Sequence, residues 1–261
     1  MDAAKTSPGK TMDRAYWDAM AADYDGEIFS VCENDTAGLI TGHITHFGSP
    51  EHTAADLGCG VGKFTPLLAQ SFGRVHACDL SPKLLAQARS ACRKFKNVDF
   101  LQTDLGRVAH PFDPVDFVLC VNVLIMSGLD ARMAALRAVT AQVKHGGHLL
   151  LVTPSTESML YTQFRRIDWC LREGMDCDAA IRDSVPARGS VRDLHQGIRP
   201  IAGMPTKHHL REELMVLLRN HEMDVLSVEK LTYPWTTEFD DPPAWMESPL
   251  PWDWLVVARR K

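Results

Sequence analysis

The segment Asp56-Leu57-Gly58-Cys59-Gly60-Val61-Gly62 places three glycines at alternate positions behind an apolar run. Glycines let the backbone approach a ligand and take conformations closed to other residues. A helix opening after such a turn presents unpaired N–H groups, which favour a negative ligand group. Without a ligand the same pattern is only a strand-to-helix turn, so its surroundings decide its meaning. The dinucleotide pattern G-x-G-x-x-G does not fit, because position 63 is Lys and an acidic residue precedes the glycines. Asp79 closes the next apolar run, RVHACD. A carboxylate there suits the paired hydroxyls of a ribose, a device shared by several nucleotide folds.

The elements that must position these groups read as alternating strands and helices. Strands are expected at 54–58, 74–79, 98–103, 115–121 and 147–153. Helices are expected at 63–71, from Ser81 onward, and at 130–143. Ser81 followed by Pro82 is a strong helix start, since the hydroxyl caps free N–H groups and proline at the first turn loses no hydrogen bond. Single helices between strands imply parallel βαβ units, whose strands are covered on both faces and look continuously apolar, as DFVLCV and HLLLVT do. Ligands then bind at the C-terminal ends of the strands. Two helices are expected before this unit, at 13–24 and 35–46.

The later chain reads differently. Residues 155–172 are expected as a helix with Leu160, Phe164, Ile167 and Leu171 on one face. Residues 173–205 read as irregular, being rich in Gly and Pro. Thr206 is expected to cap a helix running to about Asn220. Final strands are expected at 225–231 and 255–259, separated by an aromatic, proline-rich stretch.

The composition bounds the function. The 261 residues carry 28 Lys and Arg against 33 Asp and Glu, a net charge of −5, with 45% hydrophobic and 23% charged residues. This is an ordinary globular balance that excludes a disordered or disulfide-stapled chain and disfavours general nucleic-acid binding. No signal peptide is expected at the polar N-terminus, and no apolar run reaches the ~18–20 residues of a membrane span. The seven cysteines form no CxxC pair, so reduced thiols in cytoplasm and no zinc site are expected.

The motif D-L-G-C-G-V-G resembles the first motif of the class I S-adenosylmethionine-dependent methyltransferases, an acidic residue followed by G-x-G-x-G. The resemblance extends over about residues 53–154. It implies an α/β, Rossmann-like, doubly wound seven-stranded sheet with an antiparallel last strand, and S-adenosyl-L-methionine as cofactor. It implies cofactor contacts at Asp56, Gly58, Cys59 and Gly60, at Asp79 and Leu80, and at Val121 and Asn122 after the fourth strand. Asp104, with Leu105, falls where the family contacts the adenine amino group. Tyr16-Trp17-Asp18 and Tyr24-Asp25 resemble the lid of small-molecule members, where an aromatic residue covers the methionine part; Tyr16 and Tyr24 are the cofactor candidates. Trp17 and Tyr24 read equally well as helix core.

A sulfonium methyl is already activated, so the protein mainly has to align a nucleophile and exclude water. The motifs therefore name the donor and leave the acceptor open. No D/N-P-P-Y/F tetrapeptide follows the fourth strand, and no acidic cluster marks a magnesium site. A small-molecule acceptor, with an O, N or S atom methylated, is favoured. The expected division is a tail and helical lid over 1–52 and a methyltransferase domain over 53–261, with a cap inserted at about 155–205. Tyr161, His208 and His209 are the candidate proton-handling residues. Arg165, on a helix face where Tyr161, Arg165, Asp168 and Arg172 align, Trp169 of the same insertion, and Trp235 of the aromatic, proline-rich stretch are the candidate substrate contacts. A solvated polar face, capping histidines and tryptophans packing the sheet edge are the plainer readings. A non-catalytic nucleotide-binding module, a protein methyltransferase and an NAD-dependent dehydrogenase are the alternatives. Oligomeric state is not legible.

Overall fold

The computed structural model describes residues 11–24, 30–108, 110–184 and 190–261. Residues 1–10 of the expected tail and Asp25 of the expected lid lie outside them. Five parallel strands form the first part of the sheet: β1 (Thr53–Leu57), β2 (Arg74–Asp79), β3 (Val98–Gln102), β4 (Val115–Val121) and β5 (Val143–Pro154). Three helices precede β1: α1 (Arg14–Met20), α2 (Val31–Asn34) and α3 (Leu39–Phe47). Helices α4 (Thr65–Ser71), α5 (Pro82–Ala91) and α6 (Leu129–Ala141) link the strands. After β5 come α7 (Thr156–Arg172), α8 (Cys177–Ser184), α9 (Val191–His195), β6 (Ile198–Ile201), β7 (Met204–Lys207), α10 (Arg211–Arg219), β8 (Met223–Thr232) and β9 (Trp252–Arg260).

The main sheet runs β3-β2-β1-β4-β5-β9-β8, and β9 lies antiparallel to both neighbours. This is the doubly wound, seven-stranded arrangement expected from the sequence. Side chains alternate across it with a period of two. Val118, Cys120, Leu149 and Leu151 join Leu214 and Leu218 of α10 on one face. Phe117, Leu119, Leu150 and Val152 join Ile40 and Ile44 of α3 on the other. Covering on both faces explains why β4 and β5 carry no polar alternation.

Local chemistry sets the element ends. Ser81 accepts the N–H of Leu84 at 3.2 Å and starts α5, with Pro82 at its first turn. Asp35 accepts the N–H groups of Leu39 and Ile40, each at 2.9 Å, and so starts α3 later than the sequence predicts.

Three expectations for the later chain are corrected. The described residues within 173–205 are not irregular: they hold α8, α9 and the β6–β7 hairpin. Pro200 and Pro205 face each other across this hairpin, one pair away from its two-residue turn. That places them at a non-hydrogen-bonded pair, where the missing N–H costs nothing. Thr206 does not cap a helix but belongs to β7, and α10 starts at Arg211, where Glu213 accepts the Leu210 N–H at 3.2 Å.

Helix α7 has the expected extent but is rotated. Leu160 and Phe164 are 50% and 60% exposed, while Tyr161 and Arg165 turn onto the aromatic stretch before β9. There Arg165 lies 5.4 Å from the Trp235 ring and 5.5 Å from the Trp245 ring. Cation–aromatic packing has taken the place of the apolar stripe as the inward face. No helix among the described residues is long and apolar enough to cross a membrane.

Candidate functional site

A cavity of about 270 Å3 opens along the C-terminal edge of the five parallel strands. Every residue singled out as a cofactor contact lines it. Asp56, Gly58, Cys59 and Gly60 come from the turn after β1, and Asp79 and Leu80 from the end of β2. Asp104 and Leu105 follow β3, Val121 and Asn122 end β4, and Tyr16 and Tyr24 come from the N-terminal helical region.

The glycine turn is shaped by backbone conformation. Gly58 and Gly60 have φ of +75° and +55°, values that side chains disfavour. A Cβ on Gly58 would lie 2.3 Å from Val123 Cγ2, and one on Gly60 would lie 2.8 Å from the Tyr24 hydroxyl oxygen. The turn therefore brings bare backbone against the cavity wall, with Tyr24 over it.

Two carboxylates brace this turn. Asp79 Oδ2 accepts the Gly60 N–H at 2.9 Å and Oδ1 accepts the Ser81 N–H at 2.8 Å. The two oxygens together offer about four acceptor positions, more than the backbone N–H groups around them occupy. Burial pushes the Asp79 carboxyl up, opposed by the N–H groups of Ser81, Gly60 and Leu80. Asp56 is buried and accepts the Thr65 hydroxyl at 2.6 Å. Burial raises its carboxyl to about 7, against the lowering effect of that hydroxyl. Asp104 accepts the Gly106 N–H at 2.9 Å and pairs with Arg107 at 3.2 Å. The thiols of Cys59 and Cys78 are pushed up by burial, Cys78 to about 12, which keeps them protonated and unreactive.

The N-terminal lid is tied down at α5. Ser81 donates its hydroxyl to Asp18 at 2.5 Å, and Gln87 donates to the Ala21 carbonyl at 2.5 Å. Trp17 lines the cavity and stands edge-on to Tyr16, with centroids 5.0 Å apart. Lys63 also lines the cavity and pairs with Glu33.

The residues expected to handle protons or hold the acceptor lie elsewhere. His209 is 1% exposed and shares a 2.9 Å hydrogen bond with Thr153. Its backbone N–H donates to Pro154 and its carbonyl accepts from Thr156. His208 is buried beside the Thr206 carbonyl at 3.2 Å. Burial lowers His208 to about 4 and holds His209 well below the usual histidine range. Both are neutral and structural: His209 fastens the chain after β7 to the end of β5, and the His208 N–H donates to the Gly197 carbonyl at 2.7 Å. Tyr161 donates its hydroxyl to the Pro249 carbonyl at 3.1 Å and receives Arg165 at 3.3 Å. Trp169 donates to Glu173 at 2.5 Å and meets Phe239 edge-on at 5.8 Å. Trp235 is buried, stacked on Phe239 at 5.6 Å. None of these six lines the cavity. The cluster of Tyr161, Arg165, Trp169 and Trp235 binds the aromatic stretch to α7.

Residues that the sequence reading passed over complete the wall. Ile201, Ala202 and Thr206 of the hairpin line the cavity, as do Ile125, Met126 and Pro154. Two prolines and a short strand length hid the hairpin. Among the described residues no group of His, Cys, Asp and Glu is arranged to hold a metal ion.

Residues 54–147 match the family model described as a methyltransferase domain. Residues 54–147 thus resemble a methyltransferase domain, and the sheet order β3-β2-β1-β4-β5-β9-β8 is that of the class I methyltransferase fold. Two demethylmenaquinone methyltransferases of Tropheryma whipplei, strains Twist and TW08/27, are each 30% identical over 115 residues, covering 43% of this chain and 46% of theirs. The chain thus spans about half the length of the curated relatives it matches. The magnesium protoporphyrin IX methyltransferase of Synechocystis PCC 6803, solved with bound SAH, superposes with a TM-score of 0.61 at 15% identity, covering 95% of this chain and 97% of that one. The N-methyltransferase NodS of Bradyrhizobium japonicum WM9, in complex with S-adenosyl-L-homocysteine, gives 0.59 at 12% identity, covering 95% and 97%. Both share the fold.

Proposed function

We propose that this protein transfers a methyl group from S-adenosylmethionine to an O, N or S atom of a small molecule. The observation that carries the reading is the Asp79–Gly60 bracket at the mouth of β1 and β2. It leaves acceptor capacity on the Asp79 carboxylate, which suits the hydroxyls of a ribose. Gly58 and Gly60 admit the cofactor chain against bare backbone, and Asp104 offers an acceptor near the end of β3. The bound cofactor supplies a methyl already activated on a sulfonium. The lid residues Tyr16, Trp17 and Tyr24 exclude water from that end.

His208, His209 and Tyr161 are not assigned a chemical role, because they do not line the cavity. Catalysis rests on alignment of donor and acceptor, which by itself supplies a large part of a bimolecular barrier. The names of the relatives, for demethylmenaquinone and magnesium protoporphyrin IX, support a small-molecule acceptor. The net charge of −5 supports it over nucleic acid. The free cysteines among the described residues support a cytoplasmic location. We assign 1–52 to the tail and lid, and 53–261 to the catalytic domain with its insertion at about 155–205.

The test is methyl transfer from a labelled donor into a metabolite extract, with mass spectra of the product. Label in a small product supports the reading. Label on protein or nucleic acid alone contradicts it.

A further inference from the structure

We propose that the tip of the β6–β7 hairpin, with Met126 beside its base, selects an uncharged, apolar acceptor. This rests on the cofactor occupying the β2–β3 end of the cavity. The sheet order separates Asp79 at β2 from Pro154 at β5 by three strand spacings, about 14 Å at ~4.8 Å each. The cavity is therefore long enough to have two ends, and their linings differ. The far end is built from Ile125, Met126, Pro154, Ile201, Ala202 and Thr206, all uncharged. Thr206 donates its own hydroxyl to the Met204 carbonyl at 2.9 Å.

The hairpin is held firmly enough to act as a wall. Ile201 pairs with Met204 across a turn of Ala202 and Gly203, whose φ values are +48° and +75°. Positive φ at both central positions is the tight hairpin turn that matches strand twist. At the base, Lys207 N–H donates to the Ile125 carbonyl at 2.8 Å, and Thr206 bridges to Met126. The Lys207 ammonium is buried on the Gln196 carbonyl at 2.7 Å and Glu213 at 2.8 Å. The arrangement commits a buried lysine, with its half-buried partner Glu213, to fixing where the hairpin sits.

Ile201 lines the cavity yet is 50% exposed. Folding alone leaves it half uncovered, so an apolar ligand gains by covering it. A charged acceptor would shed its hydration against uncharged side chains without compensation.

Three naphthalene probes differing in charge test this: 2-naphthol, 2-naphthoic acid and 2-naphthylmethylamine, titrated into the full chain with and without S-adenosylhomocysteine. The expected result is that 2-naphthol binds at least about tenfold tighter than either charged probe. Ile201→Asp should weaken 2-naphthol about tenfold and Ile201→Ala a few fold, with Ile201→Leu near wild type and S-adenosylhomocysteine binding kept in all three. Tighter or equal binding of a charged probe, or unchanged naphthol binding in Ile201→Asp, overturns the proposal. Failure of S-adenosylhomocysteine to bind the wild type overturns the cofactor reading instead, while the probe series without it still decides the hairpin.

Discussion

Asp79 Oδ2 accepts the backbone N–H of Gly60 at 2.9 Å, so a carboxylate from the end of β2 holds the glycine turn that follows β1. Removing it leaves two N–H groups, of Gly60 and Ser81, without their partner. Asp79→Ala should weaken S-adenosylhomocysteine at least about tenfold by calorimetry, the scale of a lost charged hydrogen bond. Asp79→Asn should not rescue it, because its amide nitrogen confronts one of the two N–H groups. Wild-type affinity in either variant would remove Asp79 from the site.

Gly58 sits against Val123, and a Cβ there would be 2.3 Å from Cγ2 at a φ of +75°. Gly58→Ala should cost about 1–3 kcal/mol in denaturant unfolding and abolish donor binding. Adding Val123→Ala should recover part of the stability by removing the clash, while the backbone strain stays. Full recovery would show that φ carries no cost there.

Much of this cradle was legible before any coordinates, and the reason is that it is made by local sequence. Ser81-Pro82 starts a helix through its own hydroxyl and ring, and the glycines mark positive φ. The acceptor end was not legible because long-range packing makes it. Pro200 and Pro205 spoil the strand pattern of a hairpin that tolerates them only through its register. His208 and His209 look reactive as residue types, yet burial makes them staples. Amphipathicity pointed Leu160 and Phe164 inward on α7, but Arg165 packing on Trp235 and Trp245 turned the helix over.

Asp56 has a carboxyl raised to about 7 by burial. The folded chain therefore holds a proton that the unfolded chain releases near the ordinary carboxylate value of ~3.9, so this group makes stability fall as pH rises from about 4 to about 7. Asp56→Asn, which can still accept the Thr65 hydroxyl, should be more stable than wild type at pH 8 without ligand. Its advantage should shrink towards pH 4. Thermal melts across that range check the sign; an advantage that grows with acid would contradict the buried-acid account.

His208 runs the other way. Its folded value of about 4 lies below the ordinary histidine value of 6.5, so the unfolded chain takes up the proton first. Stability from this group is full above about pH 6.5 and is lost as pH falls through about 4. His208→Gln should flatten that acid loss in urea titrations and leave donor affinity within about twofold. A shifted pH profile of methyl transfer in His208→Gln would return the residue to the chemistry.

The central claim is that the cavity at β1, β2 and β3 holds S-adenosylmethionine rather than another nucleotide. Calorimetric titration of the wild-type chain with S-adenosylhomocysteine, beside one with NADH, reads it directly. The account predicts saturable one-to-one binding of S-adenosylhomocysteine and none of NADH at the same concentrations. Silence with S-adenosylhomocysteine, or tighter binding of NADH, would contradict it.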